Sequence, residues 1–356
     1  MPKEALCLKV PKINGEKVIT TAHKLGLVNK ELEVKRGYNY IYIPLTKSPS
    51  QEEIQAIQKQ VIRLEIITHT FPERKKQPPT VIKILEEKLP PHLLACVPRA
   101  LDIVGDIAII EIPPELETHK TEIGNAILQV HKNVRTVLAK AGAIKGKYRT
   151  RQYTVIAGEP KTETIHKEHN CRYYVDLAKA YFSPRLSHEH KRVASTVKEG
   201  ETVIDMFAGV GPFSILIAKI HERVKVYAVD INPEAFALLE KNVRLNRVEG
   251  KVHPILGNAK QIIKQKLRGL ADRVIMNLPE KAIEFVETAC EALKPEGGNI
   301  HFYSFVTVEE PLEKLEQQFR KEVEKSGRSI ARILFSRTVR ETAPYKWQAV
   351  LDAEIR

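Results

Sequence analysis

From about residue 169 to the C-terminus, short apolar runs alternate with stretches of helical period. The runs at 202–206, 225–230, 252–256, 272–276, 298–305, 329–337 and 347–353 have strand length. Between and before them, apolar residues recur every three or four positions near 186–199, 212–220, 233–246, 258–268, 280–293 and 309–326. Strands alternating with helices predict a mostly parallel seven-stranded sheet covered on both faces, an α/β fold. Only the last two runs are joined by a loop, ETAPYK, so they are expected to close the sheet as an antiparallel hairpin.

Two smaller α+β domains are expected ahead of this block. Residues 1–70 read as strand, helix, two strands, helix, strand, and Ser50 and Glu53 have the spacing of a capping box. Residues 71–79, FPERKKQPP, read as a linker. Residues 80–168 begin with a short helix at TVIKILEEKLP and two strands that turn at Gly105-Asp106. HKTEIGNAILQVHKNVRTVLAKAG then reads as one amphipathic helix ending at Gly142, and GKYRTRQYTVIAG as a returning strand.

Composition narrows the class. A chain of 356 residues exceeds one compact core. No apolar run reaches the roughly 18 residues of a membrane helix, and the N-terminus has no signal-peptide pattern. The four cysteines are scattered without zinc spacing, which fits a reducing, cytoplasmic setting with no metal site. The formal net charge is +13, and it is segregated: seven Lys or Arg and no acid stand between Glu122 and Glu159, and a second basic run, KSGRSIARILFSRTVR, lies near the end. Segregated positive charge favours a polyanionic partner over a salt-bridge-rich surface of mixed sign.

Candidate chemistry centres on VIDMFAGVGPF. A buried strand enters a glycine turn and leaves as a helix, and Gly209 and Gly211 allow the turn and a close ligand approach. Asp230 follows Gly211 by nineteen residues, at the end of the next apolar strand, where nucleotide folds place a carboxylate on ribose hydroxyls. Asp205 either holds a cationic ligand group or braces the loop. Phe207 packs the loop or stacks on the ligand. Asn232 has a structural reading as the cap of the following helix. Asn258, in PILGNAK, could accept a hydrogen bond from an adenine amine. A dinucleotide fingerprint would require a third glycine where Ser214 stands. Asn277-Leu278-Pro279 ends the fourth strand, at the edge where such folds bind substrates. Upstream, Tyr181 and Phe182 could stack on a base and Arg185 could hold a phosphate. Glu189 could be a surface charge or a base.

The order strand-DMFAGVGPF-helix, strand-DINP-helix, PILGNAK, VIMNLP resembles class I methyltransferases that use S-adenosylmethionine. With YFSPRLSHE, GGNIHFYSF and RTVRETAPYKW, residues 80–356 resemble the archaeal and eukaryotic tRNA (guanine-N1)-methyltransferases that modify the guanosine 3′ of the anticodon, position 37. The resemblance implies S-adenosylmethionine as cofactor and tRNA as partner, with residues 1–70 recognising the outer corner of tRNA. It implies that Glu189 takes the N1 proton, that Arg149 stabilises charge on O6, that Asn277 and Pro279 grip the base and that Tyr181 stacks on it. Asn258 departs from the acid usual near the adenine, and Leu278 and Glu280 depart from the NPPY motif of amino-methyltransferases. A sister family transfers the aminocarboxypropyl group of the same donor to a wyosine precursor, and some relatives methylate that precursor. A monomer is expected.

Overall fold

The computed structural model describes residues 2–61, 63–74, 79–142, 146, 148 and 150–356. The chain divides into two compact units, Met1–Pro78 and Pro79–Arg356. In the first, β1 (Lys3–Pro11), α1 (Gly15–Lys24), β2 (Lys35–Arg36), β3 (Tyr40–Pro44), α2 (Gln51–Gln58) and β4 (Glu65–Phe71) follow in chain order. The strands form an antiparallel sheet in the order β2-β3-β1-β4. Alternation along β1 and β3 sends Leu8, Val10, Ile41 and Ile43 to one face, where Val18, Ala22 and Ile57 of the helices cover them. The capping box of α2 is present: Glu53 N–H donates to Ser50 Oγ, and Ser50 N–H donates to the Glu53 carboxylate. Among the described residues, the two hydrophobic clusters of this unit are made of its own side chains.

The second unit opens with α3 (Val81–Leu85), α4 (Pro91–Cys96), β5 (Asp102–Val104), β6 (Ile107–Ile110), α5 (Lys120–Val130), β7 (Thr136–Lys140) and β8 (Tyr153–Gly158). These strands pair in sequence order, with β6 and β7 parallel across the α5 connection. The helix expected to reach Gly142 therefore ends at Val130. The reason is local and tertiary together: TVLAK opens with two β-branched residues, Thr136 and Val137, is buried from Thr136 to Ala139, and completes a sheet that a longer α5 would leave open. A hairpin of β9 (Glu163–Glu168) and β10 (Cys171–Asp176), absent from the expected pattern, follows.

The remaining elements are α6 (Ser187–Thr196), β11 (Thr202–Asp205), α7 (Pro212–Ile220), β12 (Lys225–Asp230), α8 (Pro233–Asn246), β13 (Val252–Leu256), α9 (Ala259–Ile262), β14 (Arg273–Met276), α10 (Val286–Ala292), β15 (Gly298–Thr307), α11 (Leu312–Lys325), β16 (Ile330–Ala343) and β17 (Lys346–Ile355). The seven strands run in the order β13-β12-β11-β14-β15-β17-β16. The first five are mutually parallel, and β17 is antiparallel to both its neighbours. The sheet order reverses at β11, so the loops after β11, β12 and β14 open a crevice beyond their C-terminal ends. Two hydrophobic clusters, one on each face, hold the helices: Val203, Phe213, Leu216 and Val226 contribute to one, Ile204, Met276, Phe302 and Phe319 to the other.

A chain beginning at Pro79 should keep its own cooperative thermal transition within a few degrees of the same transition in the full chain. Calorimetry of the two chains checks this, and loss of the transition would contradict the division into two units.

Candidate functional site

The crevice is a cavity of about 880 Å³, within the range of small-molecule sites. Its floor is the row of turns at the ends of the parallel strands. After β11 the chain turns through Gly209, whose φ is +56°; a Cβ there would meet nothing nearer than Tyr181 O at 3.7 Å, so the backbone is open to a ligand. Gly209 N–H donates to Asp230 Oδ2 at 2.7 Å, and Asn232 N–H donates to Oδ1 at 2.8 Å. One carboxylate at the end of β12 thus fixes both turns. Burial raises its pKa. The Asn232 side chain is committed to the fold: its Oδ1 accepts from Glu234 N–H as the cap of α8, and its Nδ2 donates to Lys179 O. Asn258 caps α9 in the same way, accepting from Lys260 N–H, and lines the cavity. Phe207 lines it too, edge-on to Phe285 with ring centroids 5.0 Å apart.

Two residues expected at the cofactor are not on the cavity wall. Gly211 has φ of +91°, and a Cβ there would fall 2.4 Å from Leu239 Cδ1. Its glycine is required by the turn and by packing against α8, not by a ligand. Asp205 is buried beneath the turn, where Ser214 Oγ–H donates to its Oδ2 at 2.8 Å. Burial pushes its pKa up to about 7.

The opposite side of the cavity gathers most of the residues expected at the base. Tyr181, Arg185, Asn277 and Pro279 all line it. Arg185 Nε–H donates to Asp102 Oδ1, so this guanidinium has a carboxylate partner on β5. Arg149 lies outside the described residues, as do Lys145 and Lys147; their neighbours Tyr148 and Arg151 line the cavity.

Glu189 is the main departure. It is 1% exposed and does not line the cavity. The first turn of α6 points its carboxylate into the core, where Arg192 Nε–H and Tyr303 Oη–H each donate to Oε2 at 2.9 Å and Arg337 Nη2–H donates to Oε1 at 2.8 Å. Burial works against the charge, but Arg192, Arg337 and Tyr303 together hold its pKa below the usual carboxylate value. The pairing continues beneath the sheet. Arg192 Nη1–H donates to Asp352 Oδ2, Asp352 Oδ1 lies 2.7 Å from His301 Nδ1, and Arg273 joins His301 to Glu201. In this fold Glu189 anchors a buried ionic row. The sequence showed the carboxylate but not the rotation of its helix.

Two contributors were not anticipated. Arg340 on β16 and Gln348 on β17 are register partners across the closing hairpin, and both line the cavity. Arg340 donates from Nη2 to Tyr181 Oη at 2.8 Å, from Nη1 to Ser183 Oγ at 2.8 Å and from Nε to Gln348 Oε1 at 3.0 Å. Gln348 Nε2–H donates in turn to Asn277 Oδ1 at 3.1 Å. Arg340 stands in the RTVRETAPYKW motif, and that was its only signal. Among the described residues, no group of three or more His, Cys, Asp or Glu is arranged to hold a metal ion, and no helix is long and apolar enough to cross a membrane.

Comparison with known proteins identifies three matching family models along the chain: the tRNA methyltransferase 5 N-terminal domain at residues 7–53, the TYW2 N-terminal domain at 81–162 and the TRM5/TYW2 methyltransferase domain at 164–330. The tRNA (guanine(37)-N(1))-methyltransferase Trm5b of Pyrococcus abyssi is 41% identical over 350 residues, 98% of this chain and 99% of that protein. The crystal structure of that Trm5b superposes with a TM-score of 0.75 at 40% identity, covering 99% of both chains. A complex of aTrm5 with tRNALeu gives a TM-score of 0.73 at 33% identity, covering 99% of this chain and 100% of that one.

Two variants check the buried groups. Asp205 has a folded-state pKa above its unfolded value. Its contribution is therefore fully present below about pH 4 and is lost as the pH rises toward about 7. Asp205→Asn should gain stability relative to the parent protein across that window, measured by denaturant unfolding; a pH-independent difference would contradict the raised pKa. Glu189→Gln leaves Arg192 and Arg337 facing an uncharged amide and should cost about 3 kcal/mol of unfolding free energy. A variant as stable as the parent would show that the ion pairs contribute nothing.

Proposed function

The chain belongs to the TRM5/TYW2 methyltransferase family, and we propose that it transfers a methyl group from S-adenosylmethionine to N1 of guanosine 37 in tRNA. The observation that carries this reading is the 41% identity to Trm5b over nearly the whole of both chains. The cavity supports it, since residues suited to the cofactor and to a base stand on its two sides.

The residues present fit the cofactor. Asp230 offers a half-buried carboxylate to ribose hydroxyls, with a remaining lone pair on each oxygen beyond the bonds from Gly209 and Asn232. Gly209 leaves room for close approach. Ile231, Ala259 and Phe285 make an apolar wall beside Asn258, a setting for adenine. When bound, S-adenosylmethionine supplies a methyl group activated by its sulfonium. The acceptor base must leave its stack to enter a cavity of this kind. Tyr181 and Pro279 offer it flat contacts, and Asn277 a hydrogen bond.

N1 of guanine carries a proton that must leave as the new bond forms, and donors aimed at O6 lower the cost of losing it. The family resemblance gives the O6 role to Arg149 and the base role to Glu189. With Glu189 held off the cavity by Arg192 and Arg337, we assign it to anchoring α6 and leave the N1 proton to water in the open cavity. The basic residues Lys140, Arg151, Arg185 and Lys346 around the opening suit the phosphates of tRNA. Met1–Pro78 is proposed to contact tRNA away from the reacting base. A single chain acting in the cytoplasm completes the reading.

The test uses donor labelled separately in the methyl and in the aminocarboxypropyl group, with an unmodified tRNA transcript carrying guanosine 37. Methyl label should appear in N1-methylguanosine at that position. Aminocarboxypropyl label in the tRNA, or methyl label at another position, would overturn the reading.

A further inference from the structure

Arg340 carries no acceptor, so every bond it makes runs outward. That fact orients the residues beyond it. Gln348 must turn its oxygen to Arg340, which leaves its Nε2 to face Asn277. Asn277 must then accept with Oδ1, and its two N–H groups become the only polar hydrogens it can offer to the cavity. No acceptor among the described residues takes them. Gln348 is 1% exposed, so water does not compete for either bond. The same guanidinium holds Tyr181 Oη and Ser183 Oγ, whose segment forms the other lip of the cavity. A register shift between Thr338 and Arg340 marks a bulge in β16 at this point. Bulges of this kind re-aim a side chain beside a site.

We propose that Arg340 is a positioning residue that sets the polarity of the base pocket: acting through Gln348 it fixes Asn277 as a donor, so the pocket selects a base edge that accepts. Guanine meets this condition with O6, where adenine carries an amine. The inference rests on the function proposed above and deepens it by naming a determinant of base choice.

Gln348→Glu tests it with little change of shape. A carboxylate still accepts from Arg340 but cannot donate to Asn277, whose amide must then turn and present Oδ1 to the cavity. The turnover rate on tRNA bearing guanosine 37 should fall roughly tenfold or more, with the KM for tRNA and the affinity for S-adenosylhomocysteine within about twofold of the parent. The loss should also be absent in an Asn277→Ala background, because the two residues act as one unit. In competition binding, the preference for guanosine 37 over adenosine 37 should narrow. A merely structural role would instead multiply the two losses and leave base preference unchanged, and either result would overturn the proposal, as would full turnover in Gln348→Glu. Thermal midpoints are measured alongside. If Gln348→Glu does not fold, Arg340→Gln replaces it, since glutamine at 340 can accept as well as donate and removes the constraint. The parent enzyme in the same assay separates the two levels: if it does not form N1-methylguanosine, the function fails; if it does, the variants judge Arg340 alone.

Discussion

The site depends on one carboxylate. Asp230 collects the N–H groups of Gly209 and Asn232, and so ties the turn after β11 to the turn after β12. Parallel strands deliver these turns to one edge of the sheet, and the shared acceptor, with the bond from Ala208 N–H to Val229 O, holds them at a fixed separation. The consequences spread from there. Asn232, placed by that bond, caps α8 and reaches back to Lys179. Gly211, next along the first turn, brings α7 against Leu239 of α8. The proposed cofactor site is thus built from backbone turns that one side chain, Asp230, holds in place.

The second half of the cavity is closed by a different device. The antiparallel pair β16–β17 extends the parallel sheet beyond β15 and carries Arg340 and Gln348 to the lip opposite the turns. A donor-only guanidinium there ties Tyr181, on the segment before α6, to Asn277, at the end of β14. Residues almost one hundred positions apart in the chain thus share one hydrogen-bonded unit. Behind it, Glu189, Arg192, Asp352, His301, Arg273 and Glu201 form a buried row that locks α6 to the sheet.

Much of this was legible in the sequence. Strand-helix alternation, the glycine turn, the Asn232 cap and the final hairpin all rest on local signals, and local signals survive folding. The rest failed for physical reasons that can be named. TVLAK was read as helix because its apolar spacing continues that of α5, while its burial and its parallel pairing with β6 make it β7. Glu189 was legible as a carboxylate at a helix start, but the direction of a helical side chain is set by which face the core buries. Gly209 and Gly211 look alike in sequence and differ in purpose, because only one of them meets the cavity. Arg340 and Gln348 were not singled out, since their importance comes from cross-strand register and from partners far away in the chain.

The most direct test of the account is a structure of the protein with S-adenosylhomocysteine and tRNA bearing guanosine 37. Guanosine 37 should be turned out of the anticodon loop, its ring against Tyr181, and O6 within about 3 Å of Asn277 Nδ2. A base still stacked in the loop, or an Asn277 that presents its oxygen to the base, would contradict it.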